Sequence, residues 1–379
     1  VPNVITPYDN TWFANRAIER LEKNLMFVRT LYRAYDEEPR KQGSTIEVKK
    51  PGGMAAQAMP ITTATDLDPT SFNITLDQWY GVAFKVGDKE SAYTGEKIIN
   101  DHIAPAMQAL AEQIEASAHA MLLEVGNVYA GAQPAVIADL IGLRKSLNDR
   151  SVPKANRYLG MTSEREADLL AITNFLNANE GSDGTATQRE GFLGRKFGMD
   201  LYHDEAAASR VEGTVTATGT IALNGAVAKG DTTLSIDGST ALTGTFKKGD
   251  YFTIAGDSRG YAITADAVCA GNAVTVSISP AARQAYSDGA VVTLSPHAGA
   301  TKEISAAYQQ EWGAIVMAPL SERGNGRGAE VTTVMDPRTN LTIRASRWYE
   351  PKDAEEWVRF DALWGVKVLD PDRATRWEI

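Results

Sequence analysis

The sequence predicts an α+β chain whose main body is interrupted by a small, separate β-barrel domain. Three observations carry that prediction. A single long helical stripe lies between about 94 and 126. Alternating, β-prone runs flank it and return at the C-terminus. The segment 212–296 differs in composition from everything around it. With 379 residues there is room for two or three domains and for a core that needs no covalent staples.

The first element is an amphipathic helix within residues 1–40. Asn10 or Thr11 can cap it, and Ile18, Leu21, Leu25 and Val28 recur at helical spacing. Its other face is charged and Pro39 follows, so this arm must lay its stripe on another domain or another subunit. From Gly43 to Lys89 the pattern becomes extended. Thr45–Lys49 and Phe72–Leu76 alternate, and they bracket a stretch from Pro51 to Pro69 rich in Gly, Pro, Ala and Thr. Two strands joined by so long a connection form a protruding hairpin, and loops of this length are typically functional. With little apolar content to hold it down, an intermolecular contact is its natural use.

The strongest helix follows, with Ile99, Ile103, Met107, Leu110, Ile114, Met121 and Val125 at three- and four-residue steps. Pro105 predicts either a kink or a short helix from about Thr94 handing over to a longer one. Glu112, Glu115 and Glu124 are assigned to the polar face. Residues 133–210 read as α/β: a helix over Ile137–Asn148, a strand over Arg157–Met161, a helix capped by Thr162 or Ser163 with Glu166 in capping-box position, and a strand over Gly198–Tyr202.

Within 212–296, short alternating runs (214–223, 233–236, 251–254, 274–278, 291–294) are separated by turn signals, which predicts a small closed β-domain whose ends lie close together. The surrounding fold then resumes with a helix over Glu303–Trp312 and a buried strand over Ala314–Met317, read as sharing a sheet with 199–202. The tail from Ala329 reads as antiparallel strands, Leu341–Trp348 and Trp357–Leu369. Trp348, Trp357, Trp364 and Trp377 all fall in it.

Composition excludes several functions. The net charge of −10 argues against a protein that coats nucleic acid over its whole surface. Cys269 is the one cysteine, so no intrachain disulfide and no multi-cysteine zinc or iron–sulfur site can form. No apolar run approaches the roughly 18 residues of a membrane span. The first residues lack the basic flank and apolar stretch of a signal peptide. The expectation is a soluble protein made in a reducing compartment.

No motif for catalysis stands out. Gly324-Asn325-Gly326-Arg327-Gly328 lacks the Lys-Ser/Thr of a phosphate loop and leads to a strand, so it reads as an interdomain turn. His203-Asp204-Glu205 reads as a solvated loop, because neighbours at a strand end point in different directions. His102 and His119 read as surface or subunit-contact residues. There is no Gly-x-Ser-x-Gly elbow and no evident carboxylate pair. Catalytic, cofactor-binding and metal-binding residues are therefore all expected to be absent.

The order of elements (arm, long two-stranded loop, beam-like helix, interrupted α/β domain, terminal β-ribbon) resembles the major capsid proteins of tailed phages, with their HK97-like capsid fold. Asn24–Val28 followed by Gly43–Pro51 looks like the family's arm leading into its extended loop. Leu76–Trp79 through Val82–Phe84 and then Asp88–Glu90 resembles the return strand. Arg157–Leu159 and Gly194–Gly198 resemble strands of the axial domain, and Trp364–Pro371 the closing strand of the peripheral domain. The module at 212–296 looks like the inserted domain in coat proteins of the short-tailed Salmonella phage type.

The resemblance implies an N-terminal arm (1–42), an extended loop (43–89), a peripheral domain with spine helix and β-ribbon (90–132 and 329–379), an axial domain (133–211 and 297–328) and an inserted β-domain (212–296). It implies a non-enzymatic major capsid protein without cofactor, whose hexamers and pentamers tile an icosahedral shell around double-stranded DNA bound without sequence specificity. Scaffolding, portal and decoration proteins are the implied partners, with no membrane. The implied location is the virion capsid, assembled in the host cytoplasm. The Lys–Asn cross-link of some relatives is not carried over, because no such trio can be assigned. Candidate subunit contacts are Lys49, Lys50, Met54, Met59, Asp66 and Asp68 in the loop, and Leu25 and Phe27 in the arm. The competing readings are a carbohydrate-binding virion-surface or secreted β-rich protein and, behind it, a carboxylate-pair hydrolase.

Overall fold

The computed structural model describes residues 10–33, 45–50, 59, 70–172, 175, 193–204, 208–295, 299–323, 328–336 and 340–378. The chain forms two compact units: Val1–Leu25, Arg33–Gln113 and Ile315–Lys367 make the first, and Met26–Tyr32, Ile114–Ala314 and Val368–Ile379 the second.

In the first unit, helix α1 (Asn10–Asn24) buries Ala14, Ala17 and Leu21 at three- and four-residue steps and lies against the strands Ala329–Asp336 and Leu341–Glu350. The strands Thr45–Lys50 and Thr70–Thr75 pair antiparallel, with Ile46 opposite Ile74. Both of those side chains are buried, while Thr45, Glu47, Asn73 and Thr75 are exposed, the period-two pattern that made the hairpin legible. The strand Glu355–Val368 pairs along one edge with Leu341–Glu350 and along the other with Gln78–Gly87. Gly81 and Gly365 permit close backbone approach here, since a Cβ on Gly365 would meet the Thr75 carbonyl oxygen at 2.2 Å.

Helix α2 spans Asp88–His119 and contains Pro105, so it begins earlier than expected and there is no handover between two helices. Asp88 opens this helix instead of extending the preceding strand. A proline removes one i→i−4 hydrogen bond, and here the remaining ladder and the buried stripe Ile103, Ala106, Met107 and Leu110 suffice to carry the helix through. The α-helix ends at His119, and a 3₁₀ turn over Ala120–Glu124 follows.

The second unit is organised around a six-stranded sheet in the order Val128–Ala130, Ala374–Glu378, Ser305–Gln309, Arg157–Met161, Met199–His203, Arg195–Lys196. Helix α3 (Ile137–Asp149) buries Leu140, Leu143 and Leu147 in one cluster with Leu159, Leu201 and Trp377. Helix α4 (Ser163–Leu170) starts after Thr162, but no side chain caps it. The expected capping box does not form: the Ser163 hydroxyl lies 2.9 Å from His203 Nε2, and the Glu166 carboxylate also faces His203.

Three further expectations are corrected. Residues 303–312 do not form an α-helix: Ser305–Gln309 is a strand buried along its whole length between Ala374–Glu378 and Arg157–Met161, and a short 3₁₀ turn over Gln310–Trp312 follows it. A strand covered on both faces shows no alternation, so Ser-Ala-Ala-Tyr-Gln carries no period that separates it from helix. The partner of 199–203 across the insertion is therefore this strand's sheet, whereas Gly313–Ala318 pairs with Glu355–Val368 in the other sheet. Ala374–Glu378 also leaves the terminal ribbon and runs parallel to Val128–Ala130.

Residues 212–296 contain a six-stranded antiparallel sheet in the order Ile221–Leu223, Thr233–Gly238, Ala273–Ser279, Tyr261–Ile263, Tyr251–Ile254, Val292–Leu294. A bridge between Ala222 and Val291 joins its first and last strands and closes it. A single hydrophobic cluster, from Val215 to Val292, fills it. The chain enters and leaves through the paired strands Ser209–Val211 and Thr301–Glu303. At this base Arg210, almost wholly buried, donates to Glu378 at 2.9 Å and to Asp250 at 2.8 Å, with Glu212 at 3.6 Å. Burial alone would lower its pKa, but the charges of Glu378, Asp250 and Glu212 raise it overall. Beside it Arg376 donates to the Gly249 carbonyl at 2.8 Å. Gly126 and Gly260 touch backbone to backbone, since a Cβ on Gly260 would sit 1.9 Å from the Gly126 oxygen.

Candidate assembly residues and a buried acid–histidine cluster

The candidate contacts separate into three groups. Lys49 and Lys50 lie in the hairpin, paired with Ser71 and Thr70. Met59 is 82% exposed, an unusual position for a large apolar side chain, whereas Met54, Asp66 and Asp68 fall outside the described residues. Leu25 and Phe27, the candidate contacts in the arm, are both buried within this chain. The Phe27 ring stacks on His119 at 4.1 Å and meets Tyr308 edge-on at 5.5 Å, so its apolar surface is already used. Trp79 and Tyr80 add further exposed aromatic surface in the first unit. Among the described residues, no helix is long and apolar enough to cross a membrane.

A site that the sequence reading dismissed lies under Phe27. Helical spacing of four puts Glu115 and His119 one above the other on the last turn of α2. Asp204 reaches the same point from the end of the strand Met199–His203, its N–H donating to the Met161 carbonyl at 3.1 Å. His119 Nε2 and Asp204 Oδ2 are 2.7 Å apart. The Glu115 carboxylate accepts the backbone N–H of Met26 at 2.5 Å and that of Val28 at 3.3 Å. It therefore fixes the turn that presents Phe27.

All three side chains are buried, and their donor atoms lie within 4.8 Å of one another. Burial and then the negative charge of Asp204 push the Glu115 carboxyl up to about 8, against the opposing pull of the backbone N–H groups of Met26, Val28 and Phe27. Above them Tyr308 shares hydrogen bonds with Thr30, at 2.6 Å, and with Tyr202. Burial raises the pKa of both phenols, and the carboxylates of Glu115 and Asp204 add to it.

The sequence placed Glu115 on the polar face, His119 on the surface or in a subunit contact, and Asp204 in a solvated loop. The available signal was the widening of the apolar stripe at the end of α2. Ile114, Ala118, Met121 and Leu122 are all buried there, which leaves no solvent-facing side for positions 115 and 119.

No protein-family model matches the chain, and no curated protein matches it in sequence. Among solved structures it is similar to the capsid structure of the cyanophage P-SCSP1u, with a TM-score of 0.50 and 10% identity over 93% of this chain and 87% of that one. It is also similar to a chain of Mycobacterium phage Che8, with a TM-score of 0.48 and 13% identity over 89% and 85% of the two chains. A third likeness is to the mature capsid of bacteriophage PhiM1, with a TM-score of 0.46 and 9% identity over 93% and 86%. At these identities the likeness is one of fold. The chain shares its overall fold, of mixed sheets and few helices, with the cyanophage capsid chain.

Proposed function

We propose that this chain is the major capsid protein of a tailed phage. It self-assembles through hexamers and pentamers into an icosahedral shell that encloses double-stranded DNA without reading its sequence. The observation that carries this reading is the cyanophage capsid fold extending over 93% of the chain. In this reading the hairpin Thr45–Lys50/Thr70–Thr75 and the residues it carries, from Lys49 and Lys50 through Met54 and Met59 to Asp66 and Asp68, contact neighbouring copies. The closed sheet within 212–296 is an inserted domain of the short-tailed Salmonella phage type. Assembly in the host cytoplasm with scaffolding and portal proteins, and later with decoration proteins, completes the proposal, and no catalysis is assigned.

Electron microscopy of the purified protein, expressed alone and with the scaffolding protein of its phage, tests it. Shells or shell fragments are expected. A chain that stays monomeric in both cases overturns the proposal. Met59→Asp is expected to suppress particles while shifting monomer stability by less than about 0.5 kcal/mol, as a surface change does.

A further inference from the structure

We propose that Glu115, His119 and Asp204 form a binding site for a divalent first-row transition metal ion, of which Zn²⁺ is the representative, and that the ion locks the Met26–Val28 turn onto the last turn of α2. The inference is independent of the assembly reading.

Its first support is geometric. Two ligands come from one helical face at i and i+4, and the third from the residue that follows the strand Met199–His203. Tetrahedral bonds of about 2.0–2.2 Å put ligand atoms roughly 3.3–3.6 Å apart. The three donor atoms already lie within 4.8 Å of one another, so small side-chain rotations close the site. The 2.7 Å contact between His119 and Asp204 lengthens as both turn toward the ion.

The second support is an unmet valence. His119 is 4% exposed, and its Nδ1 is buried without a hydrogen-bond partner among the described residues. With Asp204 facing one ring nitrogen and nothing facing the other among the described residues, the hydrogen bonding of the imidazole is incomplete. A divalent cation with two carboxylates and a neutral imidazole is neutral overall, which suits a buried site.

The donor set selects the class of ion. One nitrogen and two oxygens suit Zn²⁺, Mn²⁺, Fe²⁺ or Co²⁺. Ca²⁺ requires six to eight oxygens and Mg²⁺ near-octahedral oxygen ligation, and a donor set of one nitrogen and two oxygens suits neither.

The test uses the full chain, stripped with a chelator and then titrated with Zn²⁺ by calorimetry, with its thermal midpoint followed in parallel. Co²⁺ replaces Zn²⁺ in a second series read by visible absorption. Expected are one ion per chain, a midpoint that rises with Zn²⁺, and Co²⁺ bands showing nitrogen and oxygen ligation. His119→Gln is expected to abolish binding, whereas His102→Gln and His203→Gln retain it. The wild-type Co²⁺ spectrum decides the matter if His119→Gln does not fold. A stripped chain that takes up no stoichiometric ion overturns the proposal. So does binding that survives in His119→Gln, or that raises no midpoint.

Discussion

Arg210→Met tests the account of how the closed sheet within 212–296 is held at its base. The guanidinium is 1% exposed, and its carboxylate partners Asp250, Glu212 and Glu378 are 0%, 2% and 6% exposed. Methionine keeps most of the side-chain volume but removes the charge and the donors. Breaking a buried pair from one side costs about 3–5 kcal/mol, because the surviving charges stay desolvated. Two features place this case near the lower end. Asp250 keeps the N–H groups of Gly213 and Lys247, at 3.1 and 2.8 Å, and Glu378 keeps Arg376 at 3.2 Å. A loss of about 3 kcal/mol is expected, a drop of roughly 6–12 °C in midpoint. The assay is thermal and urea unfolding of the variant beside Lys145→Ala. The Lys145–Asp149 pair is 74% and 59% exposed, and breaking it should cost less than about 0.5 kcal/mol. Adding Glu378→Gln to Arg210→Met should recover part of the loss, since one uncompensated charge disappears. An Arg210→Met variant as stable as Lys145→Ala would refute the argument.

Leu110→Asp, at a position 1% exposed, buries an unpaired carboxylate in place of an apolar contact. A loss above about 4 kcal/mol is expected, and wild-type urea unfolding would contradict the burial assigned to α2. Arg283 lies 2.6 Å from Asp372 and 3.5 Å from Asp257. Burial by itself would raise both carboxyls, but bonds from Arg283, Tyr261, Asn127 and the Arg259 backbone lower them below 3.8. Their contribution is therefore present above about pH 4 and is lost as pH falls through the lowered folded values. Arg283→Gln should flatten the acid limb of the stability profile below pH 4, and an unchanged limb would remove these carboxylates from acid unfolding. Residues 212–296 expressed alone should unfold cooperatively, because one hydrophobic cluster lies wholly inside them. A collapsed amide spectrum would show that the cluster depends on the rest of the chain.

Much of the architecture is written in local pattern. The stripe from Ile103 to Ile114 is enough to specify α2, and the alternation around Ile46 and Ile74 specifies the hairpin. The abrupt change at Glu212 marks the insertion, because periodicity and composition act over a few residues and survive without tertiary context. The strand Ser305–Gln309 lacked such a signal, since burial on both faces erases alternation. The fate of polar side chains was illegible for a deeper reason. Glu115 meets Met26 across 89 positions of sequence, His119 meets Asp204 across 85, and Arg210 meets Glu378 across 168. A carboxylate or histidine on a helix reads as solvated whenever nothing nearby covers it, and what covers these groups is brought in by the order of strands in the sheet. Sequence alone determined the helices α1, α2 and α3, the hairpin and the run of short strands within 212–296. Only the tertiary structure decided that Leu25 and Phe27 are buried, that Glu115, His119 and Asp204 share one buried point, and that Arg210 sits among Glu212, Asp250 and Glu378. Desolvation is a property of the assembled neighbourhood, and no residue carries it by itself.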